Sequence, residues 1–372
     1  LPQQAVYSAI DVYAPTTFTG SVTGASAFGP AFDFHATGSA SSHPNSVLPA
    51  IHYTRPLSDA VSFGISIVPA WGFTENYGEG SILRYDLTRV YTKTIDIAPS
   101  IAWKINDHWS VGAGPDFNYF SVESKAHVYT EGAPPPFATP NDSIARFSAS
   151  TWGYGGHVGI LFRYNDATRV GLNYRSQIVM PLDGYSDFAL NGVTFFETST
   201  FKLALPLPAT TSLSAYHDFT SRVAVMGTLA YDQWSQLTNY HAQNYITPTG
   251  IIPNVVQQQN MHNTLDVSVG AHYRLDEIWL LRGSIKYEPT PTNNAYRDVN
   301  FPDGKKLGLQ IGARYQMSKK IAIDMIYGHV FVQSASINGV YPTQIYPVRT
   351  VAASGHSTTS IDLLGAQVVW NI

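Results

Sequence analysis

The chain has 372 residues and no change of composition from end to end, so one large domain over residues 1–372 is expected rather than several small ones. Charged residues make up 13%, against about 25% in typical soluble domains, aromatic residues make up another 13%, and a net charge of -4 gives nucleic acid little to bind. The absence of Cys excludes disulfides, Cys-ligated zinc and thiol nucleophiles together.

Low charge and many aromatics suit a membrane, yet there is no run of 18 apolar residues for a helical span, and mean hydropathy is only -0.07. Alternating barrel strands reconcile these facts, because each is apolar on one face only and window averages miss it.

In chain order, a first extended segment runs from Ala5 to Tyr13. A stretch rich in Gly, Ser, Thr and Ala, residues 14–45, follows and reads as a long surface loop. Residues 47–55 form the second strand. The third alternates Val61, Phe63, Ile65 and Ile67 against Ser62, Gly64 and Ser66, then meets Pro69-Ala70-Trp71-Gly72. Residues 88–105 set Ile95, Ile97, Ile101 and Trp103 opposite Thr94, Asp96, Ser100 and Lys104, and Asn106-Asp107 turns the chain into Trp109, Val111, Ala113 and Phe117. After Pro134-Pro135-Pro136, Tyr154, Val158, Ile160 and Phe162 point one way and Gly155, His157, Gly159 and Arg163 the other. Asn165-Asp166 then turns into Val170, Leu172 and Tyr174. Later pairs cover residues 210–216 with 223–231 and 265–273 with 279–287.

The clearest hairpin lies at residues 306–330. Leu307, Leu309, Ile311 and Ala313 alternate with Gly308, Gln310, Gly312 and Arg314; Ser318-Lys319-Lys320 turns, and Ile321, Ile323, Met325 and Tyr327 resume the pattern. The last strand, residues 358–372, ends on alternating Ala366, Val368, Trp370 and Ile372. The count is fourteen strands, with short turns alternating with long connections. In hydrocarbon every unpaired backbone group costs several kcal/mol, so such a sheet has to close on itself. The expected fold is therefore all-β: a transmembrane antiparallel barrel of 14 strands with short periplasmic turns, long extracellular loops and both termini periplasmic. Trp103, Trp109, Trp152, Trp279 and Trp370 near strand ends fit interfacial girdles.

Several segments resemble the FadL/TodX family of bacterial outer-membrane transporters of long-chain fatty acids and other hydrophobic compounds. They are Trp71-Gly72-Phe73-Thr74-Glu75-Asn76-Tyr77, Arg169-Val170-Gly171-Leu172-Asn173-Tyr174-Arg175-Ser176, Leu207-Pro208-Ala209, Trp234-Ser235-Gln236-Leu237 and Tyr287-Glu288-Pro289-Thr290-Pro291. The resemblance spans nearly the whole chain and implies a monomeric outer-membrane protein whose partners are hydrophobic small molecules, fatty acids or hydrocarbons, and membrane lipid. The family's N-terminal plug is not expected in this chain, since the first barrel strand starts almost at once. In the family a kink in the third strand opens the wall sideways, which places an opening here at Val68, Pro69, Ala70, Trp71, Gly72 and Phe73. Pro69 lacks an N–H for the ladder, in keeping with that reading.

A carboxylate ligand needs a cation near apolar surface, and Arg175, Arg282 and Lys286 are the inward-facing candidates. Phe188, Leu190, Val193, Phe195 and Phe196 in the fourth long connection form an apolar patch expected to be exposed and suited to capture. The histidines His157, His217, His262 and His329 are scattered, and no nucleophile motif accompanies them, so no catalytic residues, metal or cofactor are expected. A general diffusion porin for small polar solutes is the competing reading, because the inward face carries charges of both signs.

Overall fold

Each of the fourteen alternating segments becomes a strand of one closed ring. The structure is a computed structural model and describes residues 2–26, 33–70, 72–128, 143–190, 192–247, 250–341 and 349–372. The strands begin with β1 (Gln4–Tyr13), β2 (Thr16–Ser26), β3 (Phe34–Ser42), β4 (Asn45–Pro56), β5 (Val61–Val68) and β6 (Thr74–Asn76). Next come β7 (Arg89–Lys104), β8 (Trp109–Val128), β9 (Ser143–Arg163), β10 (Thr168–Arg175), β11 (Ile178–Leu190) and β12 (Val193–Leu207). They continue as β13 (Thr210–Asp218), β14 (Val223–Asp232), β15 (Asn239–Thr247), β16 (Gly250–Gln258) and β17 (Thr264–Arg274). The last are β18 (Trp279–Glu288), β19 (Lys306–Gln316), β20 (Ile321–Val332), β21 (Ala335–Tyr341) and β22 (Arg349–Asn371).

Around the ring the order is β1, β4, β5, β7, β8, β9, β10, β13, β14, β17, β18, β19, β20, β22. The ring closes through β22 on β1, in register from Gln4↔Asn371 to Tyr13↔Asp362. Every pairing is antiparallel, and closure removes the free edges that hydrocarbon would penalise. Period-two alternation sets the facing: Ile101, Trp103, Val269, Ile285, Ile311 and Leu364 are exposed on the outer wall, while Asp96, Asp116, Asp266 and Asp324 are buried inside. Near the tight turns, aromatic pairs form part of a girdle, with ring centroids 4.5 Å apart for Trp109 and Phe162 and 5.0 Å for Trp279 and Tyr315.

Strands β7, β8, β9 and β22 have 16, 20, 21 and 23 residues. A membrane crossing needs about 9–11, so these strands rise well past it at the end opposite the tight turns. There the expected loop at residues 14–45 is instead the hairpin β2–β3, whose β2 also pairs with the first half of β22. The fourth connection is likewise a hairpin, β11 on β12, seated against β9. Gly and Ser suggested loops at residues 14–45, but Thr and β-branched positions between them supply strand preference once a neighbouring ladder offers hydrogen bonds.

The extensions enclose an apolar core that includes Phe18, Leu83, Phe120, Met180, Phe201 and Val299. Two glycines on the inner face of β9 make room for it. A Cβ at Gly153 would lie 2.4 Å from Met180 Sδ, and one at Gly155 would lie 2.6 Å from Ile178 Cγ1. The start of β11 therefore lies on the inner wall where other strands carry side chains.

Candidate functional site

The ring is interrupted at its third strand. Strand β4 pairs with β1 along its length from Asn45 to Thr54, whereas β5 matches it only from Ile51 to Pro56. Residues 45–50, Pro49 among them, thus have no strand partner on the β5 side among the described residues. Pairing of β5 with β7 stops at Val68↔Asp96 and resumes as β6 at Thr74↔Tyr91, one residue out of step, as in a bulge.

Side-chain hydroxyls supplement the one backbone bond that remains among the described residues, from the Thr92 N–H to the Phe73 carbonyl at 3.1 Å. The Ala70 N–H donates to Thr94 Oγ1 at 3.1 Å, and the Phe73 N–H donates to Thr92 Oγ1 at 2.6 Å. Thr92 in turn donates to the Phe73 carbonyl at 2.7 Å. Gly72 is part of this fit, because a Cβ there would sit 3.3 Å from Thr92 Oγ1. Above the bulge the wall closes again where the Asn76 N–H donates to Ser42 Oγ at 2.8 Å. Phe73 turns toward the apolar core, its ring 5.7 Å from that of Phe301. Of the six positions expected to form an opening, Val68, Pro69, Ala70, Gly72 and Phe73 line this interruption, and Trp71 lies outside the described residues.

The three candidate cations all point inward and all have acidic partners. Arg175 bonds Asp96 and Asp116, with Nε 3.2 Å from Asp116 Oδ2. Asn118 Nδ2 donates to Asp96 Oδ1 at 2.8 Å, and His157 lies 2.8 Å from both Asp116 Oδ1 and Ser100 Oγ. Gly114 allows the strands to close on this cluster, since a Cβ there would lie 1.9 Å from the Pro99 carbonyl. Arg282 shares Asp324 with Arg314, and Gln367 donates to the same carboxylate. Lys286 lies 2.8 Å from both Asp266 and Glu288. The three do not converge: they belong to three separate ion-pair networks.

The apolar patch of the fourth connection divides in two. Phe188 is 0% exposed, and Phe196, its partner in register, is half-buried, as is Leu190. Val193 and Phe195 are 69% and 53% exposed. The expectation that all five are exposed is corrected for Phe188, because β11 is flanked there by both β9 and β12 and the consecutive residues 186–189 are all buried.

Two acids, one buried and one half-buried, escaped the sequence reading. Glu75, on β6, is pushed up to about 7, chiefly by burial, against hydrogen bonds from Ser42 and Thr16. Asp86, in the connection from β6 to β7, is pushed up to about 8 by burial and then by the charge of Asp298. Glu75 stands within a motif that carried the family resemblance, yet only its surroundings set it apart from an ordinary exposed glutamate. Among the described residues no cluster of His, Asp or Glu has the geometry to hold a metal ion.

A closed fourteen-strand barrel with an apolar outer wall, an interior capped by an apolar core and an interruption in one strand defines an outer-membrane β-barrel of the hydrophobic-compound transporter class. The sequence profile of the outer membrane protein transport protein family (OMPP1/FadL/TodX) matches residues 3–371, and the chain belongs to that family. It is 26% identical over 315 residues to an Escherichia coli long-chain fatty acid transport protein, covering 76% of this chain and 69% of that one. A Pseudomonas aeruginosa FadL homologue superposes with a TM-score of 0.85 at 19% identity, covering 100% of this chain and 90% of the other. The Pseudomonas putida toluene transporter TodX gives 0.69 at 15%, again covering 100% and 90%.

Proposed function

We propose that this protein passively carries long-chain fatty acids or similar hydrophobic molecules across the bacterial outer membrane and releases them sideways into the bilayer. The observation that carries this reading is the strand interruption at Pro69, beside residues 45–50 of β4, which among the described residues have no strand partner on the β5 side. An apolar chain gains nothing from a water-filled pore, whereas a gap in the wall gives its tail a continuous apolar route into lipid. The relatives' names, a long-chain fatty acid transport protein and a toluene transporter, agree with apolar cargo. Val193 and Phe195 supply exposed apolar surface for first capture. The tight turns and both termini face the periplasm in this reading, and the barrel acts as a monomer. The apolar core over the interior argues against a general diffusion porin.

The test replaces Pro69 and Gly72 together with valine in cells lacking their own fatty-acid transporter, and follows uptake of labelled oleate with a small sugar in parallel. Loss of oleate uptake by a folded barrel is expected. Unchanged uptake removes the lateral exit, and sugar passage by the unmodified protein without oleate uptake removes the transporter reading itself.

A further inference from the structure

Glu75 sits at the upper lip of the strand interruption, where β6 restores pairing with β7. The residue is 8% exposed, and its Oε2 is buried with no hydrogen-bond partner. A buried acceptor left without a donor costs about 1–3 kcal/mol, more when charged, so its retention beside a gap in the wall calls for a partner that arrives from outside. Among the described residues no cation offsets its charge; burial is opposed only by two hydroxyls. From β2 and β3 come the neutral hydroxyls of Thr16 and Ser42. From the connections after β6 and β18 come Tyr77, Asp86 and Asp298, all within electrostatic reach of one another. On β7, Val90 faces Glu75, and the neighbouring Arg89 is committed to Glu123 at 2.5 Å. Deeper in the barrel, Arg175 and Lys286 are each already held by two acids.

An ionised head group reaching the gap therefore meets carboxyl groups with no cation to receive it, and an uncharged O–H meets a carboxyl oxygen, Oε2, that lacks a donor. We propose that Glu75 is the head-group filter of the exit: it accepts a hydrogen bond from the uncharged form of a fatty acid, or from a fatty alcohol, and turns back the ionised carboxylate. The assignment rests on the lateral-exit reading above. The raised midpoint of Glu75, about 7, adds to the effect, since the filter itself gains charge as the solution becomes more alkaline.

The experiment measures initial uptake of labelled oleate and labelled 1-hexadecanol by cells expressing the full chain, corrected for cells without it, from about pH 6 to about pH 8, on either side of the Glu75 midpoint of about 7. The readout is the oleate to hexadecanol ratio, in which a general loss of barrel or gap function cancels. In the unmodified protein the ratio falls steeply as pH rises. Glu75→Gln raises it several-fold at the alkaline end, and Glu75→Asp, which keeps the acid, restores the fall. A ratio that Glu75→Gln leaves unmoved while hexadecanol still enters overturns the filter alone. Entry of neither compound through a folded barrel overturns the transport reading and the filter with it.

Discussion

Arg175 binds two carboxylates from neighbouring strands, donating from Nη2 to Asp116 Oδ1 at 3.1 Å and also bonding Asp96. Both acids are buried, and β10 delivers the guanidinium to them across β9, past His157. Removing the arginine alone leaves two buried acids with, among the described residues, only Asn118 and His157 as partners, which is costlier than the net worth of the network. Arg175→Ala is expected to destabilise the barrel by roughly 3–5 kcal/mol, and far less in an Asp96→Asn, Asp116→Asn background. Urea unfolding in lipid vesicles measures both, and equal losses in the two backgrounds refute the coupling.

Gly153 and Met180 make a second tight relationship, because any side chain at 153 collides with the sulfur. Gly153→Leu should lift the start of β11 from the inner wall at a cost of about 1–3 kcal/mol and loosen the core over the interior. Single-channel recordings in planar bilayers are expected to show increased ion leak. Met180→Ala in the same chain should reduce it by returning the space.

Burial of Glu75 and Asp86 ties the region opposite the tight turns to pH. Their midpoints rise from 4.5 to about 7 and from 3.8 to about 8 on folding, so the native state holds protons that the unfolded chain has released. Stability from these groups is complete at pH values below the unfolded midpoints and drains away as pH climbs through the native ones. Thermal melting should occur at lower temperature at about pH 9 than at about pH 5, with the difference much reduced in a Glu75→Gln, Asp86→Asn variant. A melting point that rises with pH contradicts the assignment.

The absence of Cys makes every engineered thiol unique. Ala70→Cys, at the interruption, is expected to react with a lipid-soluble maleimide faster than Ser66→Cys, an inward position still paired with β4. Thr94→Val, which removes the hydroxyl accepting from Ala70, should accelerate that labelling further. Equal rates at residues 66 and 70 in intact cells, followed by mass spectrometry, speak against a gap open to lipid.

Period-two alternation is a local property, and it is enough to place the fourteen ring strands, their inward and outward faces, the aromatic girdle and the interruption at Pro69. Ile311 and Arg314 reveal their facing within a few residues of their own neighbours, because the pleat alone decides it. Other features depend on partners far along the chain. The hairpin at residues 16–42 forms against β22, more than three hundred residues away in sequence, and a Gly- and Ser-rich stretch carries no sign of that ladder. Phe188 is buried because β11 lies on β9, and Arg175 is neutralised because three strands converge on one cluster. Glu75 reads as a surface residue until β2, β3 and β6 meet around it. The sequence by itself determined a closed alternating wall of fourteen strands. Tertiary structure decided which charges are already paired and which carboxyl oxygens, Glu75 Oε2 among them, are left without a donor, since burial and pairing arise only where distant strands are brought together.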